Sequence, residues 1–250
     1  DPSERLFAPS DLHWDVAADE IIFLPCLGGM VGSDILAGII ATNLAQRDDV
    51  HMLMDLGTNG EVVAGGKNGL LCASTAAGPA FEGARIGQGM RAATGAISRV
   101  ESIEGKLTVE VIGGGPARGI CGSGLVDAVA VALDAGWILP SGRLEKGRAD
   151  IQLAPDVRLM PRDVRELQLA KGAIAAGAQT LLHRLGVARD DVTQVHLAGA
   201  FGNYVSRRSA RRTGLVQYPH DRIATIGNSA LLGAKLALFT SDPSYADLRR

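Results

Sequence analysis

The sequence predicts an α/β domain in which a mixed sheet is flanked by helices, and three observations support this class. Segments typical of strands, joined by tight turns, cluster in the first part of the chain. Further along, segments with helical periodicity alternate with strand segments. The 250 residues are also 46% hydrophobic, which is enough for a buried core and excludes a disordered chain.

Strands are predicted from short apolar runs that end at turn residues. The run at 51–54 enters a turn that contains Asn-Gly and returns at 61–64, and a Gly-Lys-Asn turn leads to a third strand. The predicted strands cover residues 20–25, 51–54, 61–64, 69–73, 96–100, 106–112, 191–197 and 222–226.

Helices are predicted where the apolar spacing changes to a period of 3.6 residues. Pro161 opens the longest helix, in which Asp163 and Glu166 are spaced like a capping box. The predicted helices cover residues 33–44, 124–135, 161–185 and 229–239. Three antiparallel strands that are extended by strands with helices between them, with an insertion after the third strand, are typical of an RNase H-like layer.

Charge and hydropathy exclude several classes of partner. The chain has 25 basic and 27 acidic residues, so its net charge of -2 creates no overall field that attracts nucleic acid or an anionic membrane. No uncharged run reaches the roughly 18 residues that a membrane helix needs. We therefore expect a cytoplasmic protein that acts on small molecules or proteins, with no nucleic-acid and no membrane partner.

The cysteines do not form a metal-binding pattern. Cys26, Cys72 and Cys121 lie more than 40 residues apart and include no C-x-x-C pair. The five histidines also lack the spacing of a metal site. We therefore interpret each thiol as a small buried hydrophobic group.

The turn at residues 55–61 is the strongest candidate for a binding site. Two glycines and two short polar residues between two strands can direct backbone N–H groups into one anion-binding concavity. Asp55 ends the buried strand, where a carboxylate can hold magnesium through water beside a phosphate. The alternative is an ordinary Asn-Gly hairpin without a ligand.

A second glycine cluster, at residues 199–202, also follows a hydrophobic strand. Glycines there permit a flat ligand to approach the backbone, and a ligand between the two turns would have the size of a nucleotide. The alternative is a tightly packed strand-to-helix turn. A third cluster, at 119–124, precedes a helix, whose N-terminus favours phosphate.

Two charged features have alternative interpretations. Lys171 lies in a helix crowded with small residues and is either a surface lysine or a nucleotide contact. Four arginines would stack like charges if helical, and they form either a solvated face or a contact for an acidic partner or phosphate. They are Arg207, Arg208, Arg211 and Arg212.

Four segments together resemble the C-terminal region of the reductive activators of corrinoid enzymes, which belong to the superfamily of acetate and sugar kinases, heat-shock proteins and actin. The segments are residues 54–61, 76–83, 119–124 and 197–204. The resemblance extends from about Pro25 to Leu238, and it implies an actin-like (ASKHA) lobe that binds ATP with Mg2+.

The resemblance also implies the roles of individual residues. Asp55 would act catalytically and hold the metal, and the helices from Ser33 and Ser229 would connect this lobe to a preceding one. The residues that would contact the nucleotide are Gly57, Thr58, Asn59, Gly60, Glu61, Lys171, Gly199, Ala200, Phe201 and Gly202.

The function implied by the resemblance is ATP-dependent return of an oxidised corrinoid from cob(II) to cob(I). Electrons would come from a 2Fe-2S cluster in an N-terminal ferredoxin-like domain that this sequence does not contain. Residues 1–25 would be the tail of the preceding lobe and 26–250 the C-terminal lobe, with ATPase activity in the full-length protein and little in this fragment alone. The expected partner is a corrinoid protein or corrinoid-dependent methyltransferase, and a homodimer is possible. The alternatives are a small-molecule kinase of the same superfamily and a non-catalytic scaffold domain.

Overall fold

The computed structural model describes residues 5–239, except for the side chains of Ala200 and Asn203. The strands are β1 (Arg5–Phe7), β2 (Ile21–Phe23), β3 (Val50–Leu56), β4 (Gly60–Gly66), β5 (Gly69–Thr75), β6 (Ala96–Ile103), β7 (Lys106–Val111), β8 (Gly119–Ile120), β9 (Ile151–Ala154), β10 (Val157–Leu159), β11 (Val192–Ala198) and β12 (Ile223–Gly227). The α-helices are α1 (Ser33–Thr42), α2 (Gly122–Asp134), α3 (Pro161–Leu185), α4 (Gly199–Tyr204), α5 (Arg207–Thr213) and α6 (Ser229–Ala237).

The central sheet has five strands in the order β12-β11-β3-β4-β5. β3, β4 and β5 are antiparallel neighbours, whereas β11 runs parallel to both β3 and β12. The predicted α/β class, with a mixed sheet and helices, is confirmed.

Side chains of β3 alternate between two hydrophobic cores on the two faces of the sheet. Met52 and Met54 belong to the large core that also contains residues of α2 and α3. Leu53 faces the smaller core with Ile35 and Ile39 of α1. The strand is therefore buried on both sides, which explains why its sequence is a continuous apolar run.

The insertion between β5 and α3 forms a smaller sheet in the order β7-β6-β8, against which α2 packs. The charged stretch from Arg143 to Asp163 contains the β9–β10 hairpin. The two-residue strand β8 and this hairpin are too short to give a periodic signal in the sequence.

Two further boundaries differ in how well the sequence predicts them. α3 begins at Pro161 and ends at Leu185, as predicted, and Gly186 follows it with a positive φ of 69°. The predicted loop at 199–202 is instead the first part of α4, because only Gly199 has a positive φ and Gly202 is helical.

The segment before α1 contains a separate two-stranded sheet, β1–β2, in which the rings of Phe7 and Phe23 meet edge to face with centroids 5.3 Å apart. The assignment of residues 1–25 to a preceding lobe remains a prediction. Between residues 5 and 239, no helix combines the length and apolar character needed to cross a membrane.

Candidate functional site

The candidate site lies at the edge of the sheet where β3, β11 and β12 end. Because these strands are parallel, their carboxyl ends lie side by side, which is where open α/β sheets bind ligands. Asp55 of β3 pairs in register with Ala198 of β11 and with Glu61 of β4. Ala198 also pairs with Gly227 of β12. The two glycine turns that the sequence predicts to be binding elements are therefore neighbours.

Asp55 is half-buried, and its pKa is raised from 3.8 to about 6. Burial is the main cause, because it disfavours the charged form. The negative charges of Asp34 and Glu61 raise the pKa further, and the Ser229 hydroxyl partly offsets the shift. A carboxyl group with a pKa near neutrality at the edge of a sheet is typical of a functional site.

Asp34 and Ser229 are site residues that the motif analysis did not assign. Asp34 lies in the first turn of α1, and Ser229 is the first residue of α6. Ser229 is 1% exposed, and its hydroxyl makes no hydrogen bond of normal geometry among the described residues. The signal in the sequence is that each residue stands at a predicted helix start just after a glycine, at Gly32 and Gly227.

Gly199 brings the second turn into contact with Asp55. Its φ is +85°, and a Cβ at this position would lie 2.6 Å from Asp55 Oδ1 and 3.0 Å from the Leu56 carbonyl oxygen. Such distances are shorter than real Cβ contacts, so only glycine fits without moving the carboxylate. The close approach ties the geometry of β11 to the position of Asp55.

The tip of the β3–β4 turn is exposed at Thr58 and Asn59. The Gly57 N–H donates to the Asn59 carbonyl oxygen at 3.0 Å, which closes the turn. The Thr58 hydroxyl donates to the carboxylate of Glu82, a residue that the sequence analysis did not assign. Glu82 follows Phe81 in the 76–83 segment, and its contact places an acidic group against the turn.

The base of the same turn is held by packing. A Cβ on Gly60 would lie 2.8 Å from both Ile174 Cγ1 and Thr75 Oγ1, so α3 and β5 close over this glycine. Glu61 is half-buried, and its Oε1 accepts a hydrogen bond from the Ser74 hydroxyl at 3.0 Å. Glu61 is therefore fixed beside Asp55 rather than free in solvent.

Three residues predicted to contact a nucleotide already have partners within the chain. Lys171 Nζ donates to the Thr213 carbonyl oxygen at 2.6 Å, where α5 ends. The Phe201 ring stacks on the Phe81 ring with centroids 4.3 Å apart. Gly202 is buried against Leu197. Ala200 lies in α4, and its side chain is outside the described part of the chain.

A buried histidine pair lies on the strands that lead to the site. His51 Nδ1 and His196 Nε2 are 3.1 Å apart, and His51 Nε2 lies 3.1 Å from Asp49 Oδ1. Burial, followed by the charges of His51 and Arg47, lowers the pKa of His196 to about 4. The histidine spacing in the sequence gives no sign of this pair, because it forms across two strands 145 residues apart.

The third glycine cluster, at 119–124, is closed by packing. A Cβ on Gly122 would lie 2.1 Å from the Phe81 carbonyl oxygen, and one on Gly124 would lie 2.1 Å from the Ile97 carbonyl oxygen. Cys121 between them is buried and donates to the Ile97 carbonyl oxygen at 3.3 Å. These glycines allow α2 to pack closely against Phe81 and against β6.

The carboxylates suit a magnesium ion that is held partly by another ligand. Among residues 5–239, no group of three His, Cys, Asp or Glu side chains is arranged to hold a metal ion. Mg2+ keeps several waters and is commonly bound through one or two carboxylates plus substrate phosphates. Asp55, with Glu61 and Asp34 near it, meets that requirement, whereas a metal site made by protein ligands alone does not form here.

Comparisons with known proteins identify relatives that match most of the chain. A family model described as the C-terminal domain of RACo, the ASKHA domain, matches residues 49–246. The corrinoid activation enzyme RamQ of Eubacterium limosum is 36% identical over 249 residues, and the match covers 89% of this chain and 42% of that protein. The [Co(II) methylated amine-specific corrinoid protein] reductase of Methanosarcina barkeri is 31% identical over 255 residues, covering 92% of this chain and 47% of that protein.

A solved structure is also similar. The reductive activator for corrinoid, iron-sulfur protein superposes with a TM-score of 0.84 at 33% sequence identity, and the match covers 98% of this chain and 42% of that chain. This chain therefore spans less than half the length of each of these three relatives.

Proposed function

This chain belongs to the family of the C-terminal ASKHA domain of RACo, and we propose that it is the nucleotide-binding region of a reductive activator of corrinoid proteins. The two curated relatives carry names that refer to corrinoid activation and to reduction of a corrinoid protein. Because this chain spans less than half of either relative, we propose the activity for a full-length protein that contains it.

The observation that supports nucleotide binding best is the contact between the two glycine turns. The Asp55 turn and the Gly199 turn lie at one edge of the sheet, and Gly199 leaves room for the Asp55 carboxylate only because it has no side chain. A ligand that touches both turns would contact the ends of β3 and β11 at the same time. ATP has the length and the charge to do this.

The residues of the site would contact different parts of Mg-ATP according to their chemistry. Exposed Thr58 and Asn59 offer donors to phosphate oxygens, and the turn supplies backbone N–H groups. Asp55 would hold Mg2+ through water, and the ion's positive charge would favour the ionised carboxylate. Glu82 holds the Thr58 hydroxyl until a phosphate oxygen replaces it as the partner of that hydroxyl.

Bound Mg2+ would supply charge neutralisation of the phosphates. The chain's own contribution is to position that charge: Glu61 is fixed by Ser74, and Asp55 is fixed by the close approach of Gly199. Hydrolysis or binding of ATP could then drive reduction only by favouring one conformation of the full-length protein over another, which requires different affinities for the two states.

We propose that the redox group lies in a part of the full-length protein other than this chain. Among the described residues the three cysteines are free, and they do not approach one another as a cluster would require. We assign the electron source to a 2Fe-2S ferredoxin-like domain elsewhere in the full-length protein. The partner is a corrinoid protein or a corrinoid-dependent methyltransferase, and the reaction is reduction of cob(II) to cob(I).

The test uses the full-length protein and one matched pair of glycine variants. Gly199→Ala would place a methyl group against Asp55, whereas Gly186 also has a positive φ, +69° against +85° at Gly199, but open space around it. Both variants carry a similar backbone strain of about 1–2 kcal/mol. We expect Gly199→Ala, and not Gly186→Ala, to weaken Mg-ATP binding in calorimetry at least tenfold.

Activity is measured by the absorbance change of a corrinoid protein on reduction from cob(II) to cob(I), with and without ATP. We expect Asp55→Asn and Gly199→Ala to remove the ATP-dependent part of the rate. Wild-type rates in both variants would contradict the site assignment. A wild-type rate that is the same with and without ATP would contradict the role of ATP. Only the proposal that the partner is a corrinoid protein would then remain.

A further inference from the structure

Four carboxylates border the turn between β3 and β4, and none of them has a basic partner in the described part of the chain. Asp34 and Glu61 lie close enough to Asp55 to act on its charge. Glu82 accepts a hydrogen bond from the Thr58 hydroxyl at the tip of the turn. The ion pairs among the described residues include none of these four side chains. The turn therefore lies in a negative field that the chain itself does not neutralise.

Glu82 differs from the other three carboxylates because its backbone is fixed by packing while its side chain is exposed. The residue before it, Phe81, is 5% exposed, and its ring stacks on Phe201 with centroids 4.3 Å apart. The residue after it, Gly83, has a φ of +79°, and a Cβ there would lie 2.5 Å from the backbone nitrogen of Met90. Since both neighbours are held closely, the Glu82 side chain leaves the backbone at a defined place.

The contact between Glu82 and Thr58 uses the donor that a phosphate would need. A threonine hydroxyl has one proton, so while Thr58 donates to Glu82 its oxygen presents only lone pairs to a ligand. A phosphate without a counterion would meet these lone pairs and the carboxylate, and both repel it. A phosphate that carries Mg2+ brings positive charge, which offsets the repulsion.

We propose that Glu82 determines the specificity of this turn by excluding polyphosphates that carry no metal ion. The inference rests on the proposed function and adds the form of nucleotide that the site accepts. Asp55 would attract the ion, whereas Glu82 would repel a phosphate that lacks it. Placing a like charge against the wrong ligand is a common source of specificity in binding sites. Because Glu82 is exposed, its effect acts through solvent and should weaken as salt screens it.

The test is calorimetry on the full-length protein with ATP and pyrophosphate, each measured with Mg2+ and with EDTA. We expect Glu82→Gln to bind both metal-free compounds more tightly than the wild type, by about fivefold or more at low ionic strength. The affinity for Mg-ATP should change by a smaller factor, because the ion already neutralises part of the phosphate charge. The gain should shrink between about 10 mM and 150 mM ionic strength, where the Debye length falls from about 30 Å to about 8 Å.

Two further variants separate charge at this position from other effects. Glu82→Asp keeps the negative charge and should keep the preference of the wild type for metal-bound ATP within about twofold. Glu104→Gln removes the same charge from the turn between β6 and β7, where Glu104 is also exposed. It should leave every affinity within about twofold, because exposed charges at a distance are screened.

The outcomes distinguish this inference from the proposed function. If the wild type binds Mg-ATP and Glu82→Gln gains nothing for the metal-free compounds, only the role of Glu82 is overturned. The same holds if the gain is equal for Mg-ATP and metal-free ATP, or if it does not depend on salt. A wild type that fails to bind Mg-ATP would instead overturn the proposed function, and this inference with it.

Discussion

Two glycine-rich turns precede helices in this lobe, and their glycines lie against different kinds of neighbour. At residues 119–124 the absent side chains are replaced by backbone, because Gly122 and Gly124 lie against carbonyl oxygens of Phe81 and Ile97. At Gly199 the absent side chain is replaced by the carboxylate of Asp55. The sequences of the two turns are similar in composition, yet one joins structural layers and the other borders an ionisable group.

The difference shows that a glycine cluster alone does not identify a ligand site. What distinguishes the two turns is the neighbour that glycine admits: main chain in one case and an acidic side chain with a raised pKa in the other. Substitutions in the first turn should therefore act on stability, and substitutions around the second on binding and pH dependence.

The largest effect is expected in the packed turn. Gly124→Ala would place a methyl group 2.1 Å from a backbone oxygen, so α2 must move away from β6. We expect a loss of about 3 kcal/mol or more in the free energy of unfolding, at the upper end of overpacking effects. Urea denaturation followed by circular dichroism measures it.

The control for Gly124→Ala is Gly172→Ala, at an exposed position of α3 with open space around it. Alanine should raise the free energy of unfolding there by about 0.5–1 kcal/mol, because it is the better helix former. Equal stability of the two variants would contradict the claim that Gly124 is required by close packing and Gly172 is not.

The next prediction concerns Asp55, whose replacement by asparagine should increase stability. Since its pKa in the folded protein is about 6 and the ordinary value is 3.8, the ionised form is disfavoured by folding above pH 6. Asp55→Asn should raise the free energy of unfolding at pH 7 by about 1–3 kcal/mol, allowing for partial solvent exposure. The gain should disappear below pH 4, where both side chains are neutral. Thermal unfolding between pH 4 and pH 8, without nucleotide, measures it, and a stabilisation that does not depend on pH would contradict the cause.

The strand that leads into the Gly199 turn supplies a smaller, acid-dependent effect. His196 has a folded pKa of about 4 against an ordinary value of 6.5, so the unfolded state binds more protons between these values. Stability should therefore fall by about 2 kcal/mol as the pH drops from 6.5 to 4. His196→Leu should flatten this part of the profile in urea titrations, and the exposed His183→Gln should not. An unchanged slope in His196→Leu would assign the acid sensitivity to other groups.

Lys171 gives the smallest expected effect. Its ammonium group holds the Thr213 carbonyl oxygen at the end of α5, where a positive charge also favours the helix dipole. Lys171→Met should lower the free energy of unfolding by about 0.5–1 kcal/mol. Mg-ATP calorimetry on the same variant then decides whether the lysine also contacts the nucleotide. An unchanged affinity would restrict Lys171 to its structural role.

The sequence predicted the elements whose signals are local. The run from Pro161 to Leu185 is periodic, and the apolar runs within residues 51–75 end at turn residues, so α3 and the three antiparallel strands follow from them. Short pieces such as β8 and the β9–β10 hairpin have too few residues to show a period. The glycine turns at 55–61 and 199–202 were also visible in the sequence, and their neighbourhood follows from the parallel strands.

The groups that were missed depend on long-range contacts. The pairing of His51 with His196 and the contact of Thr58 with Glu82 each join residues that no local pattern relates. Asp34 and Ser229 lie near glycines at predicted helix starts, but their effect on Asp55 depends on the folded structure.

The packing of α1 against α6 has a mechanical consequence. A Cβ on Gly233 would lie 1.8 Å from the Ala37 carbonyl oxygen, so the two helices touch backbone to backbone. We expect helices in such close contact to move together. One carries Asp34 and the other carries Ser229, and these two residues act on the Asp55 carboxyl group with opposite signs. A displacement of this pair shifts a negative charge and a hydroxyl together, which converts movement of the helices into a change in the proton affinity of Asp55.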